Sequence, residues 1–351
     1  MEDYLWAVAS NTDFTPRAPR FLIARFSALG DVVLMQPVVS ALRATYGDNA
    51  TVDLVCLTRS LPAAELLAGV NEVHAVKRGT GEVTAALKAR NYDYLLDLHG
   101  TVRSRALARA LDVLTLSVNK QDWNRWTLIR GWRKEDVASF VERCLDVLKP
   151  FGVARPSPTF SGREAWGKFV LPSAPNLPAR YVVISLASSH PGKHLSNAVL
   201  DAAIRQAHAQ QCAVVLVGGE AEKARANEWV ARHPEAVARA GAWTLGETAA
   251  ALAGAEAVVT GDTVTLHLAA AVGTPVAAVW GCTRPSLGLA AWRPNPQSID
   301  VLPSRDNRVR PCSKHGATCR HTRSSDPFHS DRCGQHVDPR EVGDWLKNLL
   351  T

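Results

Sequence analysis

Gly30 and Asp31 follow an apolar run at 21–26 and open a helical pattern within 32–46. Glycine lets the chain turn sharply there, and a helix start would hold the Asp31 carboxylate ionised through its dipole and free amides. Such a carboxylate can act as a general base, or it can serve only as an N-cap, the commonest task of Asp in that position. Asp97-Leu-His-Gly-Thr-Val-Arg-Ser104 repeats the arrangement at the end of another apolar run. Its His99 and Arg103 could contact an acceptor, or His99 could be a hydrogen-bonded loop residue. Lys193 ends a polar loop that starts at Ser185, from which it could meet a phosphate or remain in solvent. In Val259-Thr-Gly-Asp-Thr-Val-Thr-Leu-His267 a strand ends in a polar turn and a helix starts with free backbone amides, a geometry that binds diphosphate. His267 falls on the first turns of that helix, facing a cleft or packed in the core.

These loops punctuate a regular rhythm. Strands are expected at 21–26, 51–57, 73–77, 93–98 and 113–118, with helices within 32–46 and at 61–68, 81–90 and 101–110. Continuous apolar strands separated by helices of this length indicate a parallel sheet covered on both faces, here a Rossmann-like domain. Pro37 must kink the first helical pattern or mark where a regular helix begins. A helical stretch at 135–149 precedes a proline-dense connector from Pro150 to Pro178, the expected domain boundary. The rhythm then restarts, with strands at 181–186, 213–217, 237–240, 256–260 and 275–280 and helices at 196–210, 220–232, 247–253 and 263–272. The expected α/β organisation is an N-terminal arm at 1–20, a first domain at 21–165, a second at 166–336 with an irregular Cys/His-rich tail, and a terminal helix within 337–351 that crosses back to the first domain. Open parallel sheets bind ligands beyond the carboxyl ends of their strands, so the cleft between the domains is the default site.

Neither domain has a G-x-G-x-x-G fingerprint, and no G-x-x-x-x-G-K-[ST] loop exists, which disfavours dinucleotide dehydrogenases and P-loop phosphotransferases. A chain of 351 residues with 46% hydrophobic and 21% charged residues is ordinary for a folded two-domain protein. Its net charge of +7 is concentrated: 99–134 carries eight Lys/Arg against two Asp, and 301–337 carries seven against three. Such patches suit an anionic partner. Trp123, Trp126 and Trp132 sit among Arg125, Arg130, Arg133 and Lys134, a mixture suited to an anionic membrane interface, or to indoles packed beneath a basic helix. Single-stranded nucleic acid is a distant second, and no nucleic-acid partner is expected. No leader pattern opens the sequence and no apolar run approaches about 18 residues, so a cytoplasmic protein is expected.

Of seven cysteines, Cys56, Cys144, Cys212 and Cys282 lie in or beside apolar segments and read as buried thiols. Cys312, Cys319 and Cys333 share the tail with His315, His321, His329 and His336 and could bind zinc. Their spacings lack the paired C-x-x-C of strong zinc motifs, so no metal ligand is assigned.

Taken in order, Arg25-Phe-Ser-Ala-Leu-Gly-Asp-Val-Val33, Asp97-Leu-His-Gly-Thr-Val-Arg-Ser104, the loop ending in Lys193, Gly218-Gly-Glu-Ala-Glu222 and Gly261-Asp-Thr-Val-Thr-Leu-His-Leu-Ala-Ala-Ala271 resemble the ADP-heptose:lipopolysaccharide heptosyltransferase family, which has the GT-B fold. The resemblance implies inverting transfer with Asp31 as general base and Lys193 neutralising the leaving diphosphate. It also implies that amides around Thr263, Val264 and Thr265 hold the diphosphate oxygens, that Glu222 accepts from the ribose, and that Trp243 lies near the adenine. Asp262 would cap its helix, orient Lys193 or help hold a divalent cation such as magnesium; no other cofactor is implied. His267 is expected on the donor side, and Gly30, His99 and Arg103 on the acceptor side. The implied partners are an ADP-sugar and a lipid-linked anionic glycan, met at the cytoplasmic face of the inner membrane. Three positions depart from the family pattern: Val264 where glycine is usual, His99 where glutamine is frequent, and Cys282 where proline usually follows the Trp280-Gly281 turn. The rival functions are a nucleotide-sugar epimerase, which needs no acceptor, and a non-catalytic nucleotide-sugar binding protein.

Overall fold

A computed structural model describes residues 17–303 and 308–351. The N-terminal arm expected at 1–20 thus lies almost wholly outside the described residues. Strands β1 (Arg20–Ala24), β2 (Thr51–Leu57), β3 (Val73–Val76), β4 (Tyr94–Asp97) and β5 (Leu114–Ser117) form a parallel sheet in the order β3-β2-β1-β4-β5. Helices α1 (Leu29–Val33), α2 (Gln36–Tyr46), α3 (Leu61–Ala64), α4 (Gly81–Ala89) and α5 (Val102–Leu111) connect and cover them, followed by α6 (Asp122–Arg130) and α7 (Phe140–Asp146). Pro37 falls in the first turn of α2, where its missing N–H has no helical acceptor to lose, so the helical pattern breaks into α1 and α2. The helix expected at 135–149 contracts to α7, and the one at 61–68 to α3 after a 3-10 turn at Thr58–Ser60.

A connector carrying α8 (Gly162–Trp166) leads to the second parallel sheet, formed by β6 (Tyr181–Ser185), β7 (Ala213–Val217), β8 (Ala236–Ala238), β9 (Ala257–Thr260), β10 (Val276–Val279) and β11 (Ile299–Val301) in the order β11-β10-β9-β6-β7-β8. Its helices are α9 (Asn197–Ala209), α10 (Lys223–Arg232), α11 (Leu245–Gly254), α12 (Val264–Val272) and α13 (Pro339–Leu350). The chain thus has the two Rossmann-like domains of a GT-B protein. Strand β11 occupies a stretch expected to be irregular; at three residues it is too short to leave a periodic signature.

The terminal helix does not cross back. Val342, Leu346 and Leu350, one apolar stripe of α13, join the cluster of Val199, Ala203 and Val259 in the second domain. The domains are joined elsewhere. Trp166 of α8 is fully buried, its ring 5.6 Å from that of Trp292, and its indole N–H donates to the Trp292 carbonyl at 2.7 Å. One continuous apolar cluster runs from Phe21 and Val33 in the first domain through Trp166 to Leu266 and Ala270 in the second.

Register places the loops that matter. Ala24 pairs with Asp97, so the segment after β1 leaves the sheet beside the one after β4. In the second sheet β6 pairs with both β7 and β9, bringing the Ser185–Lys193 loop beside Thr260–Thr263. Each neighbouring pair is a point where strand order reverses, where open α/β sheets leave a crevice at their carboxyl ends.

Candidate active site

The two crevices face each other across a cleft of ≈ 380 Å³. From the first domain come Arg25, Gly30, Asp31, His99, Lys120, Arg125 and Arg143; from the second come His190, Lys193, Asp262, Thr263, Val264, His267, Lys314 and His315.

Asp31 is the third residue of α1, not its N-cap, which is Ala28. Its carboxylate accepts the Ala28 N–H at 3.2 Å and pairs with the Arg25 guanidinium. Arg25 also donates to the Leu98 carbonyl at 2.6 Å and lies 4.6 Å over the Phe140 ring, so it is fixed on three sides. Burial pushes the Asp31 carboxyl up, but Arg25, the Ala28 N–H and, more weakly, His267 outweigh it and leave the group below its usual range. The side chain is still 36% exposed, toward the cleft.

Gly30 does not supply the sharp turn expected of it; it is helical and its φ is not positive. What it permits is close approach, because a Cβ there would stand 3.0 Å from His267 Cδ2 and 3.5 Å from Val264 Cα. A glycine on α1 thus lets the two walls meet.

His99 lines the cleft, its ring edge-on to Phe26 at 5.4 Å. Burial, with Arg25 and Lys120 nearby, lowers its pKa to about 4, so the ring is neutral. Asp97 shapes this loop by accepting the His99 and Gly100 N–H groups at 3.1 and 2.8 Å and the Ser104 hydroxyl at 2.9 Å. Arg103, expected on the acceptor side, is not part of the cleft lining; it lies 5.7 Å over Phe26 and reaches the Arg78 carbonyl.

On the facing wall Lys193 Nζ sits 2.7 Å from Asp262 Oδ2, an ion pair with side chains only 13% and 6% exposed. Thr263 caps α12 and lines the cleft together with Val264. Thr265 does not reach the cleft. Its hydroxyl turns inward to Ser185 at 2.9 Å, and its N–H is taken by Thr263 Oγ1 at 3.3 Å, so it offers no free amide to an anion. His267 is buried and faces the cleft rather than the core alone; burial outweighs Asp262 and Asp31 and keeps it neutral. Glu222 and Trp243 lie outside the cavity lining, after the carboxyl ends of β7 and β8. Glu222 Oε2 accepts the Gly219 N–H at 2.9 Å, and Trp243 lies beneath Arg239.

Residues 81–319 match the profile of glycosyltransferase family 9 (heptosyltransferase), about two thirds of the chain. The chain belongs to glycosyltransferase family 9. The lipopolysaccharide heptosyltransferase 3 of Escherichia coli is 26% identical over 314 residues, covering 80% of this chain and 90% of that protein. Among solved structures, a family 9 glycosyl transferase from Veillonella parvula superposes with a TM-score of 0.70 at 15% identity, covering 95% of this chain and 97% of the other. Escherichia coli heptosyltransferase WaaC, solved with ADP-2-deoxy-2-fluoro heptose, gives 0.61 at 25% identity, covering 76% and 90%.

The family match favours neither an epimerase nor a non-catalytic binding protein. As a family 9 glycosyltransferase this chain carries a strongly cationic cleft that motif reading missed. Lys120, Arg125 and Lys314 were visible in the sequence only as members of two basic segments, and Arg143 lies outside both. The fold turns one part of each segment inward: Arg125 is buried and donates to the Leu287 carbonyl at 3.1 Å, and Lys314 pairs across the cleft with Asp122 at 2.7 Å. Two of the three departures from the family pattern, His99 and Val264, face the cleft. The third, Cys282, is buried, and its N–H donates to the carbonyl of Gly192, next to Lys193 in the chain.

Proposed function

We propose that this glycosyltransferase moves a heptose from an ADP-activated donor onto a lipopolysaccharide core precursor, with inversion at the anomeric carbon. The observation that carries the reading is the meeting of Asp31 with Lys193 and the start of α12 across one cleft. The acceptor hydroxyl gives its proton to Asp31 as its oxygen bonds to the anomeric carbon; the bond from that carbon to the diphosphate oxygen breaks, and ADP leaves with the electron pair. Arg25 holds Asp31 ionised and aimed. Lys193, set in place by Asp262, takes up the charge that develops on the diphosphate, with the cleft face of Thr263 and Val264 beside it. Lys120 and Arg125 add positive potential on the acceptor side, which suits an anionic glycan. Glu222 and Trp243 would take the ribose and adenine beyond the cavity, and any magnesium would ride on the diphosphate, since Asp31 and Asp262 are the only acids lining the cleft among the described residues.

The acceptor's lipid would lie at a membrane surface. No helix among the described residues is long and apolar enough to cross a membrane, but α6 and the turn after it hold Trp123, Trp126 and Trp132 in an exposed stack, with Arg130 5.5 Å over the Trp126 ring. We assign this patch to peripheral contact with anionic lipid at the cytoplasmic face of the inner membrane.

The test is release of ADP from ADP-heptose with and without a core-precursor acceptor, with GDP- and UDP-sugars as controls. Asp31→Asn is expected to abolish turnover while sparing donor binding; unchanged turnover would remove Asp31 as the base.

A further inference from the structure

Cys282, which stands where the family usually has proline, is not the isolated buried thiol that its apolar surroundings imply. Its sulfur and those of Cys312, Cys319 and Cys333 all lie within 4.8 Å of one another. The Cys312–Cys333 and Cys319–Cys333 sulfurs are 3.5 and 3.9 Å apart. Bonded disulfides need about 2.05 Å. Four sulfurs at the corners of a tetrahedron around an ion, with metal–sulfur bonds of about 2.3 Å, stand about 3.8 Å apart. The observed spacing fits the second arrangement. No histidine of the tail joins the group.

The surroundings match a thiolate centre as well. The backbone N–H of Arg320 points at the Cys312 sulfur and that of His321 at the Cys319 sulfur, while the buried Arg284 side chain reaches Cys333. Donors of this kind offset the excess negative charge of a tetrathiolate. The segment that carries three of the ligands has almost no regular structure, only a 3-10 turn at Cys333–His336, and little apolar core of its own.

The cluster also touches the active-site wall. The Gly192 carbonyl accepts the Cys282 N–H at 2.7 Å, the Gly192 N–H donates to the Gly316 carbonyl at 2.9 Å, and the Cys282 carbonyl accepts the Cys312 N–H at 2.8 Å. A Cβ on Gly192 would stand 2.6 Å from both Cys282 Cβ and the Gly316 carbonyl oxygen. Lys193, Lys314 and His315 therefore belong to loops tied to the four cysteines.

We propose that Cys282, Cys312, Cys319 and Cys333 bind one transition-metal ion as a tetrathiolate, and that this centre anchors the strap bearing Lys314 and His315 against the Lys193 loop. Zinc(II) and iron both suit four thiolates in a tetrahedron. The site is structural, since four protein ligands leave no open position.

Full-length protein purified under reducing, chelator-free conditions is expected to carry about one metal ion per chain by plasma mass spectrometry. Cys282→Ser and Cys319→Ser should each lose most of it. Because either variant could fail to fold, the wild-type protein is also stripped with a chelator and refilled with cobalt(II), whose intense visible bands report tetrahedral thiolate coordination. Zinc or iron in the isolated protein, or a tetrathiolate cobalt spectrum, supports the site. Protein that carries no metal and takes up neither zinc(II) nor cobalt(II) overturns it. Hydrogen exchange tests the anchoring: amides in 308–336 should lose protection on metal removal, and unchanged protection there would refute that part. None of these measurements depends on the sugar donor or acceptor.

Discussion

Arg25→Met asks whether Asp31 depends on its guanidinium partner for its low pKa. Arg25 is 10% exposed and Asp31 36%. Burial alone would raise the carboxyl; the Arg25 charge and hydrogen bond, the Ala28 N–H and His267 together bring it below the ordinary 3.8. An opposite charge in contact lowers a carboxyl by about 1–3 units. With a third of Asp31 facing water, solvent screening leaves the effect of Arg25 at the weak end for such a contact. A base works only when ionised, so activity is present above its pKa and is lost as pH falls through it. The wild-type acid limb of kcat/KM therefore lies below the ordinary carboxyl range, and loss of Arg25 moves the variant's limb to higher pH. Methionine keeps an apolar stem over Phe140 but gives up the bond to the Leu98 carbonyl. The assay is kcat/KM between pH 4.5 and 8, each enzyme compared with its own plateau and its fold checked by circular dichroism at each pH. Near the acid end the variant should keep a clearly smaller fraction of its plateau than the wild type keeps of its own. Arg25 also helps to hold down the pKa of His99, so the profile is repeated in an Arg25→Met/His99→Gln background to separate the two groups. Identical normalised profiles for wild type and variant would refute the assignment of Arg25 as the residue that tunes the base.

Gly30→Ala should cost turnover more than stability. The helix would gain up to about 1 kcal/mol of propensity and lose about 1–3 kcal/mol to overpacking against His267, while displacement of the facing walls lowers turnover about 10- to 100-fold; unchanged turnover would show that close approach at this point is not needed. Lys193→Met leaves Asp262, 6% exposed, without its cation, and is expected to cost about 3 kcal/mol in denaturant unfolding. Asp262→Asn in the same background should recover most of that stability and none of the turnover, and wild-type stability in the single variant would contradict a buried, compensating pair. Replacing Trp123, Trp126 and Trp132 by serine should abolish salt-sensitive binding to acidic lipid vesicles while leaving turnover on a soluble acceptor intact; equal binding of the wild type to neutral vesicles would refute the membrane assignment.

What could be read from the sequence was local. Buried parallel strands such as Ala213–Val217 are continuous apolar runs, and Pro37 marks a helix start through its missing N–H, so both are visible in a few consecutive residues. The candidate site residues were legible where a strand end and a helix start adjoin, as at Asp31 and Thr263. Partnerships fixed by register or docking were not. Arg25 reaches the Leu98 carbonyl because β1 pairs with β4, a fact 73 residues removed in sequence. The apolar stripe of α13 announces a buried face without saying which sheet it covers. Thr265 reads as a helix-start residue like Thr263, and only the position of Ser185 on the neighbouring strand turns it inward. Cys282 is separated from its nearest partner in sequence by a strand and a long irregular stretch, so it reads as one more buried thiol.

Charge shows the same limit most clearly on α6. The sequence presents Arg125 and Arg130 as one basic segment with the tryptophans, yet five residues on a helix place two side chains about 140° apart. Arg125 turns into the cleft and is buried against the Leu287 carbonyl. Arg130 lies with the exposed Trp126 on the outer surface. A basic stretch that reads as a single docking patch therefore serves two environments. The same short helix connects a surface suited to anionic lipid with the cationic acceptor side of the cleft. On the proposed function, α6 is the element shared by membrane attachment and acceptor binding, and substitutions at Arg125 and at Trp126 are expected to affect the two separately.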